Sequence, residues 1–358
     1  MATKMKAQVF YEKEKMVLEE IDIPEISSVD VLIKVKNVGI CGSDVSYYYG
    51  QSPVGTETGK GPIVLGHEFT GEVVKVGKIP ADLGLFKDGD RVVINPVQHC
   101  NACYSCAAGH TNVCENIKVP GVTQNGGFAE YCASNYTGLF KLPDSISYAA
   151  GAFIEPLACA VYALTKLDLI PGQSVVIFGP GPIGIMMVQL VKAAGAGRII
   201  LVGTNDFRLE LGKKNGADYI FNIKDNKSKY YSDNLKDSVS KLTNGRLAER
   251  VLVPTSSNEA FEEAVEIGGN SSIILHFGLP NENDVMKIPA LKFHTMDKEI
   301  RSSWLAPMVW PTTIRMVEEG LIKTDSLLTH TYNLEETEKA IINIKNRIDN
   351  PLKAQIVM

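Results

Sequence analysis

"SVVIFGPGPIGIMMVQLVKAAG", residues 174–195, decides the fold. "SVVIFG" is a β-branched, apolar run that reads as a strand, and "PIGIMMVQLVKAAG" reads as the helix after it. Between them stands G-x-G-x-x-G, at Gly179, Gly181 and Gly184, with Pro180 and Pro182 stiffening the turn. Glycines in this position let the backbone approach a pyrophosphate, whose charge then sits at the helix N-terminus. Gly179, Gly181, Pro182, Ile183 and Gly184 are therefore the first candidate cofactor contacts.

The same rhythm continues outward. "RIILVG" precedes "DFRLELGKKNG", and "RVLVPT", "NEAFEEAVEIGG" and "SIILHFG" follow. Strand alternating with amphipathic helix implies α/β class and a doubly wound parallel sheet of Rossmann type. Upstream, "KAQVFY", "DVLIKVKNVGI", "FTGEVVKVG", "DRVVINP" and "FAEYCA" are short strand-like runs punctuated by glycine, so the first 150 residues read as mostly β. "YAAGAFIEPLACAVYALTKL" suits a connecting helix, and the C-terminal part offers helices at "PTTIRMVEEG" and "LEETEKAIINIKN" before a last strand, "KAQIVM".

Charge and composition narrow the class. With 358 residues, 45% hydrophobic, 22% charged and a formal charge of −5, the chain has globular values and room for two domains. It gives no electrostatic reason to expect nucleic acid or an anionic membrane as partner. "MATKMKAQVF" lacks a signal-peptide apolar run, and "IGIMMVQLV" is broken by Gln189, so no membrane span is expected and a cytoplasmic protein is.

"CNACYSCAAGHTNVC" spaces four cysteines as C-x2-C-x2-C-x7-C, at Cys100, Cys103, Cys106 and Cys114. Four thiolates so close can close a tetrahedral shell around zinc and leave no position for substrate, which makes the site structural. His99 and His110 are not needed as ligands and read as solvated loop residues. Cys132 and Cys159 read as buried free thiols.

A second donor set is scattered: Cys41, Ser43 and Asp44 in "CGSD", His67 and Glu68 in "GHEFTGEVVKVG", and Glu155 in "EPLAC". Thiolate, imidazole and carboxylate together suit a zinc with an open position. Each also has an ordinary reading, as core thiol, turn histidine or surface carboxylate, and spacing alone does not join them.

The signature G-H-E-x2-G-x5-G, matched by Gly66, His67, Glu68, Gly71 and Gly77, resembles that of the zinc-containing medium-chain alcohol dehydrogenases. The similarity runs through "CGSD", the four-cysteine lobe, "GGFAEY", "EPLA" and the glycine-rich turn. "CGSDVSYY" and "EPLACAVYAL" are most similar to the polyol, sorbitol-type branch. The resemblance implies a GroES-like mostly-β catalytic domain, 1–156 with 294–358, and a Rossmann nicotinamide-cofactor domain, 157–293.

It also implies roles. Cys41, His67 and Glu68 would ligate a catalytic zinc, with Glu155 bonding or replacing the metal's water, so that each chain carries two Zn2+. Asp44 would accept the other imidazole N–H of His67. Ser43 would relay the substrate proton, and Tyr47 would line the substrate pocket or simply pack. Phe277 and Gly278 in "HFGLP" would stand beside the nicotinamide, with His276 structural. Homodimers or homotetramers are the rule among such relatives.

Relatives that use NAD carry Asp at the end of the next strand, where its carboxylate takes the ribose hydroxyls. Here that position, nineteen residues past Gly184, is Gly203. Its absence permits a 2′-phosphate, and Gly203 with Thr204 is similar to NADP-using secondary alcohol dehydrogenases. Asn205 stands where those relatives have arginine, Arg208 lies one helical turn on, and Asp206 offers an alternative ribose contact. NAD(P) is therefore the expected cofactor, with NADP favoured.

The expected substrate is a polyol or ketose. Sorbitol dehydrogenases place an Arg-Tyr pair where this chain has Leu305 and Ala306, and Ser303–Trp304 is more like galactitol-1-phosphate dehydrogenase. Threonine-type and secondary alcohol dehydrogenases are the nearer rivals, and a non-enzymatic cofactor-binding protein is the rival of another class.

Overall fold

The computed structural model describes residues 3–52 and 61–358. The chain divides into two compact units, Met1–Ala158 with Pro307–Met358, and Cys159–Ala306.

The first unit opens with β1 (Lys4–Glu12), β2 (Lys15–Asp22) and β3 (Asp30–Gly39), then α1 (Gly42–Tyr48), β4 (Ile63–Val64), β5 (Glu68–Val76) and α2 (Lys78–Asp82). β6 (Arg91–Ile94), α3 (Tyr104–Ala107), β7 (Tyr131–Asn135), β8 (Leu139–Lys141) and α4 (Tyr148–Gly151) follow. α5 (Ile154–Leu167) carries the chain into the second unit. That unit holds β9 (Ser174–Phe178), α6 (Pro182–Ala193), β10 (Arg198–Gly203), α7 (Asp206–Lys214), β11 (Tyr219–Asn222) and α8 (Leu235–Leu242). It ends with β12 (Ala248–Val253), α9 (Asn258–Ile267), β13 (Gly268–His276), α10 (Ala290–Thr295) and β14 (Glu299–Ser302). α11 (Trp310–Glu318), β15 (Leu328–Asn333), α12 (Thr337–Asn346) and β16 (Lys353–Val357) complete the first unit.

In the first unit one sheet runs β15-β16-β3-β5-β6-β8, with β7 also paired to β3, and a smaller one runs β2-β1-β4. Val31, Ile33, Phe69, Val73 and Phe128 fill the core between them. This is the mostly-β unit expected upstream of residue 150.

The second unit is a six-stranded sheet in the order β11-β10-β9-β12-β13-β14, every neighbouring pair parallel. Counted from β9 the order is 3-2-1-4-5-6, with the topological switch between β9 and β12. Helices cover such a sheet on both faces, so its central strands bury both sides. All five residues of β9 are buried accordingly.

Two expectations need correction. The return to the first unit falls at Pro307, not at 294. β14 pairs in parallel with β13 and so extends the second unit past that point. The stretch Tyr148–Leu167, with mean hydropathy 1.3, is also long and apolar enough to cross a membrane, against the expectation that none is. Leu157, Ala158, Ala160 and Ala163 on it are fully buried within the protein, as in a core helix.

Candidate functional site

The cysteine lobe assembles as its spacing predicts. One ligand atom from each of Cys100, Cys103, Cys106 and Cys114 lies within 4.8 Å of the others. Cys114 Sγ is 3.5 Å from Cys100 Sγ and 3.9 Å from Cys103 Sγ. Those separations are far beyond a disulfide bond. They match the edge of about 3.8 Å of a sulfur tetrahedron around zinc at about 2.3 Å. Backbone N–H groups of Ala102 and Cys103 point at Cys100 Sγ and push its pKa down to about 6, favouring the thiolate that a metal needs. His110 is exposed as expected. His99 is not simply solvated: it is half-buried, and its Nδ1 is shut off from solvent with no hydrogen-bond partner among the described residues.

The scattered donors also converge. Cys41 caps the N-terminus of α1, where its N–H donates to Asp44 Oδ2 at 2.8 Å. Glu68 opens β5 with His67 immediately before it, and β3 lies against β5 with Gly39 opposite Glu68. Ligand atoms of Cys41, His67 and Glu68 lie within 4.8 Å of one another, with His67 and Glu68 buried. Glu155 lies outside that trio, and it too is buried. Burial, reinforced by the Glu68 carboxylate, pushes the Glu155 pKa up to about 7 against the opposing pull of His67 and Lys353.

Among the described residues His67 Nδ1 has no hydrogen-bond partner, and it lies 3.6 Å from Asp44 Oδ1, an electrostatic contact longer than a hydrogen bond. Burial opposes its protonation, yet the charges of Asp44 and Cys41 outweigh burial and lift it well above the usual histidine value. Surroundings this anionic favour a cation of any kind, and the donor set is one that zinc takes. Ser43 is half-buried on the first turn of α1. Tyr47 is buried, packs edge-on against Phe10, and donates its hydroxyl to the Val122 carbonyl at 3.2 Å.

One member of this cluster was not foreseen. Lys353, opening β16, donates to Glu68 Oε1 at 2.7 Å, and both side chains are buried. The signal was present in "PLKAQIVM": a lysine inside an apolar closing strand must find a buried partner.

In the second unit the glycine-rich turn fits a dinucleotide. Gly181 caps α6 without a side-chain bond, leaving the first helical N–H groups free to face a pyrophosphate, and nothing crowds its position. A β-carbon at Gly184 would stand 1.9 Å from the Gly179 carbonyl oxygen, so only glycine lets α6 pack onto the turn. Gly278 is just as tight, 2.1 Å from the backbone at Thr255. Thr255 also lies 3.5 Å from the β-carbon position of Gly179, so the ends of β9, β12 and β13 meet at the switch point. The N–H groups of Phe277 and Gly278 both reach the Val253 carbonyl at 3.1 Å. His276 packs edge-on against Phe261, a structural contact.

At the end of β10, Thr204 is exposed and Arg208 half-buried, while the Asn205 side chain accepts from the Arg208 N–H as the cap of α7. Asp206 is engaged at one carboxylate oxygen. Its Oδ1 accepts from Asn222 Nδ2 at 2.7 Å and from Ser228 Oγ at 2.8 Å.

Comparison with known proteins shows the family. The alcohol dehydrogenase GroES-like domain matches residues 27–144, and the zinc-binding dehydrogenase family matches residues 182–319. The sorbitol dehydrogenase of Bacillus subtilis (strain 168) is 34% identical over 344 residues, covering 94% of this chain and 92% of that protein. An alcohol dehydrogenase from Escherichia coli CFT073, solved with NADH, superposes with a TM-score of 0.90 at 28% identity over 100% of both chains. A zinc-binding dehydrogenase from Sinorhizobium meliloti 1021, solved with NADP, gives 0.91 at 25% identity, again over 100% of both. A GroES-like unit with two zinc-competent donor sets, joined to a Rossmann unit, makes this chain a member of the zinc-dependent medium-chain alcohol dehydrogenases, in their polyol branch.

Proposed function

We propose that the protein is a zinc-dependent enzyme that transfers a hydride between NAD(P), with NADP preferred, and a secondary hydroxyl or ketone of a polyol, sugar or sugar-derived small molecule. The observation that carries this reading is the convergence of Cys41, His67 and Glu68, residues distant in sequence, into one buried donor set. A zinc held by these three residues would supply Lewis acidity toward the substrate oxygen, and a nicotinamide held by the second unit would supply the hydride chemistry.

The chain's own residues do the rest. Cys41, His67 and Glu68 would hold the metal, and Glu155, buried and electrostatically coupled to His67 and Glu68, would serve as an accessory carboxylate beside it. Asp44 anchors the turn through the Cys41 N–H and fixes His67 electrostatically. Ser43 passes the hydroxyl proton outward. Tyr47 supports the pocket wall as a packed aromatic, which the Val122 bond favours over direct substrate contact. Cys100, Cys103, Cys106 and Cys114 hold the structural zinc.

Gly179, Gly181, Pro182, Ile183 and Gly184 cradle the pyrophosphate, and Phe277 and Gly278 border the nicotinamide. Gly203, Thr204, Asn205 and Arg208 face the adenosine end. NADP is preferred because Gly203 brings no carboxylate to that position, and Asp206 Oδ1 is already engaged by Asn222 and Ser228. The enzyme is proposed to be cytoplasmic and a homodimer or homotetramer, the exposed edge strand β14 offering a pairing surface.

The test is nicotinamide reduction by zinc-replete protein with a panel of polyols, polyol phosphates and secondary alcohols, run with NADP and with NAD. Turnover of a secondary hydroxyl that a zinc chelator abolishes is expected. Turnover untouched by zinc removal, or confined to aldehydes and primary alcohols, would overturn the reading.

A further inference from the structure

The adenosine end of the cofactor turn holds a steric relationship that the missing acid alone does not explain. A β-carbon at Gly203 would lie 2.4 Å from Pro180 Cδ and 2.6 Å from Pro180 Cγ. Ordinary carbon–carbon contact is about 3.5–4.0 Å, so either ring or strand would have to move by about 1 Å to admit any side chain. Neither is free to do so cheaply. The pyrrolidine is a closed ring with a fixed φ, unlike the loose end of a flexible side chain. The Gly179 N–H is bonded to the Val202 carbonyl at 2.8 Å, which ties the turn to β10 immediately before Gly203. The Gly203 carbonyl in turn accepts the Ile223 N–H at 3.0 Å, which ties β10 on its other side.

Resting on the reading that this turn binds a nicotinamide dinucleotide, we infer that Pro180 and Gly203 act as one coupled determinant of cofactor choice. The Pro180 ring fills the space that a side chain at 203 would need, so an acid facing the ribose cannot be accommodated while the proline is present. Asp206, three residues on, already accepts from Asn222 and Ser228 at its Oδ1. Position 203 is thus left without a carboxylate for a structural reason, and a 2′-phosphate meets no repulsion from it. Changing the preference toward NAD requires two substitutions, and either one alone gives less than its share.

The test is a double-mutant cycle on the full-length protein, with NADPH and NADH binding followed by nicotinamide fluorescence and stability by thermal melting. Gly203→Asp alone is expected to weaken both dinucleotides by about tenfold or more. Adding Pro180→Ala to it is expected to restore NADH binding while NADPH stays weak. Gly203→Ala, which adds only the β-carbon, should lower Tm, and Pro180→Ala in the same chain should return it, so the coupling is readable even if the aspartate variant does not fold. Additive Tm changes, or NADH binding by Gly203→Asp as tight as by the double variant, would overturn the coupling. Wild-type protein that binds neither dinucleotide would overturn the cofactor reading itself, a result distinct from either.

Discussion

Lys353 Nζ and Glu68 Oε1 meet at 2.7 Å across one sheet, the lysine on β16 and the glutamate on β5 with β3 between them. Glu68 is wholly buried and Lys353 is 6% exposed. Burial disfavours the ammonium, but the charge of Glu68 overrides it and holds Lys353 above its usual value. A buried pair of this kind is weak evidence for net stability, yet breaking it from one side strands a charge.

Lys353→Met is therefore expected to destabilise the first unit by about 3–5 kcal/mol. The stranded carboxylate sits beside Cys41 and His67, so bound zinc should offset part of the loss. Urea unfolding with and without a chelator checks this: the variant's deficit should be larger in chelated protein. An equal deficit in both would separate Glu68 from the metal.

The cysteine lobe makes a separate prediction. Cys103→Ser removes one of four sulfurs whose positions already match a zinc tetrahedron. Zinc content should fall by about one ion per chain, with the metal at Cys41 and His67 retained. Metal analysis after gel filtration reads it directly, and unchanged zinc would show that the lobe holds none.

Gly184→Ala tests the dinucleotide cradle. Its methyl would stand 1.9 Å from the Gly179 carbonyl oxygen, so α6 must shift off the turn. Affinity for NADPH should drop by about tenfold or more, with the zinc content unchanged. Calorimetric titration is the measurement, and wild-type affinity would mean that the turn does not carry the pyrophosphate.

Lys298 gives a pH dependence. Its ammonium is buried and donates to the Val265 carbonyl at the end of α9, and burial, with Lys292 adding to it, lowers its pKa from 10.5 to about 8. Between those values the unfolded chain still holds a proton that the folded chain has released, so this group makes stability rise with pH through that window. Below pH 8 its unfavourable contribution is complete. Lys298→Met should flatten that segment of the Tm profile relative to wild type, and parallel profiles would contradict the assignment.

Much of this was legible in the sequence for local reasons. The strand, glycine turn and helix of residues 174–195 are contiguous, and so is the cysteine lobe, so pattern and spacing sufficed. The Cys41–His67–Glu68 set needed resemblance, because only the pairing of β3 with β5 brings α1 and "GHE" together. β14 was missed because "EIRS" is a short edge strand with largely exposed side chains and no apolar run, and the domain boundary was misplaced with it. Lys353 lies outside any motif, and the Pro180–Gly203 contact joins the glycine-rich turn to a position beyond it. The first is a pairing across a sheet and the second a matter of space, and neither leaves a periodic trace in the chain.

The proposed chemistry rests on a catalytic zinc at Cys41, His67 and Glu68, apart from the structural one. The most direct measurement is zinc per chain in the purified protein and in His67→Ala, taken alongside polyol-dependent reduction of NADP. About two ions should fall to about one, with turnover lost and the fold kept by circular dichroism. About one ion in both proteins, with turnover intact in the variant, would contradict it.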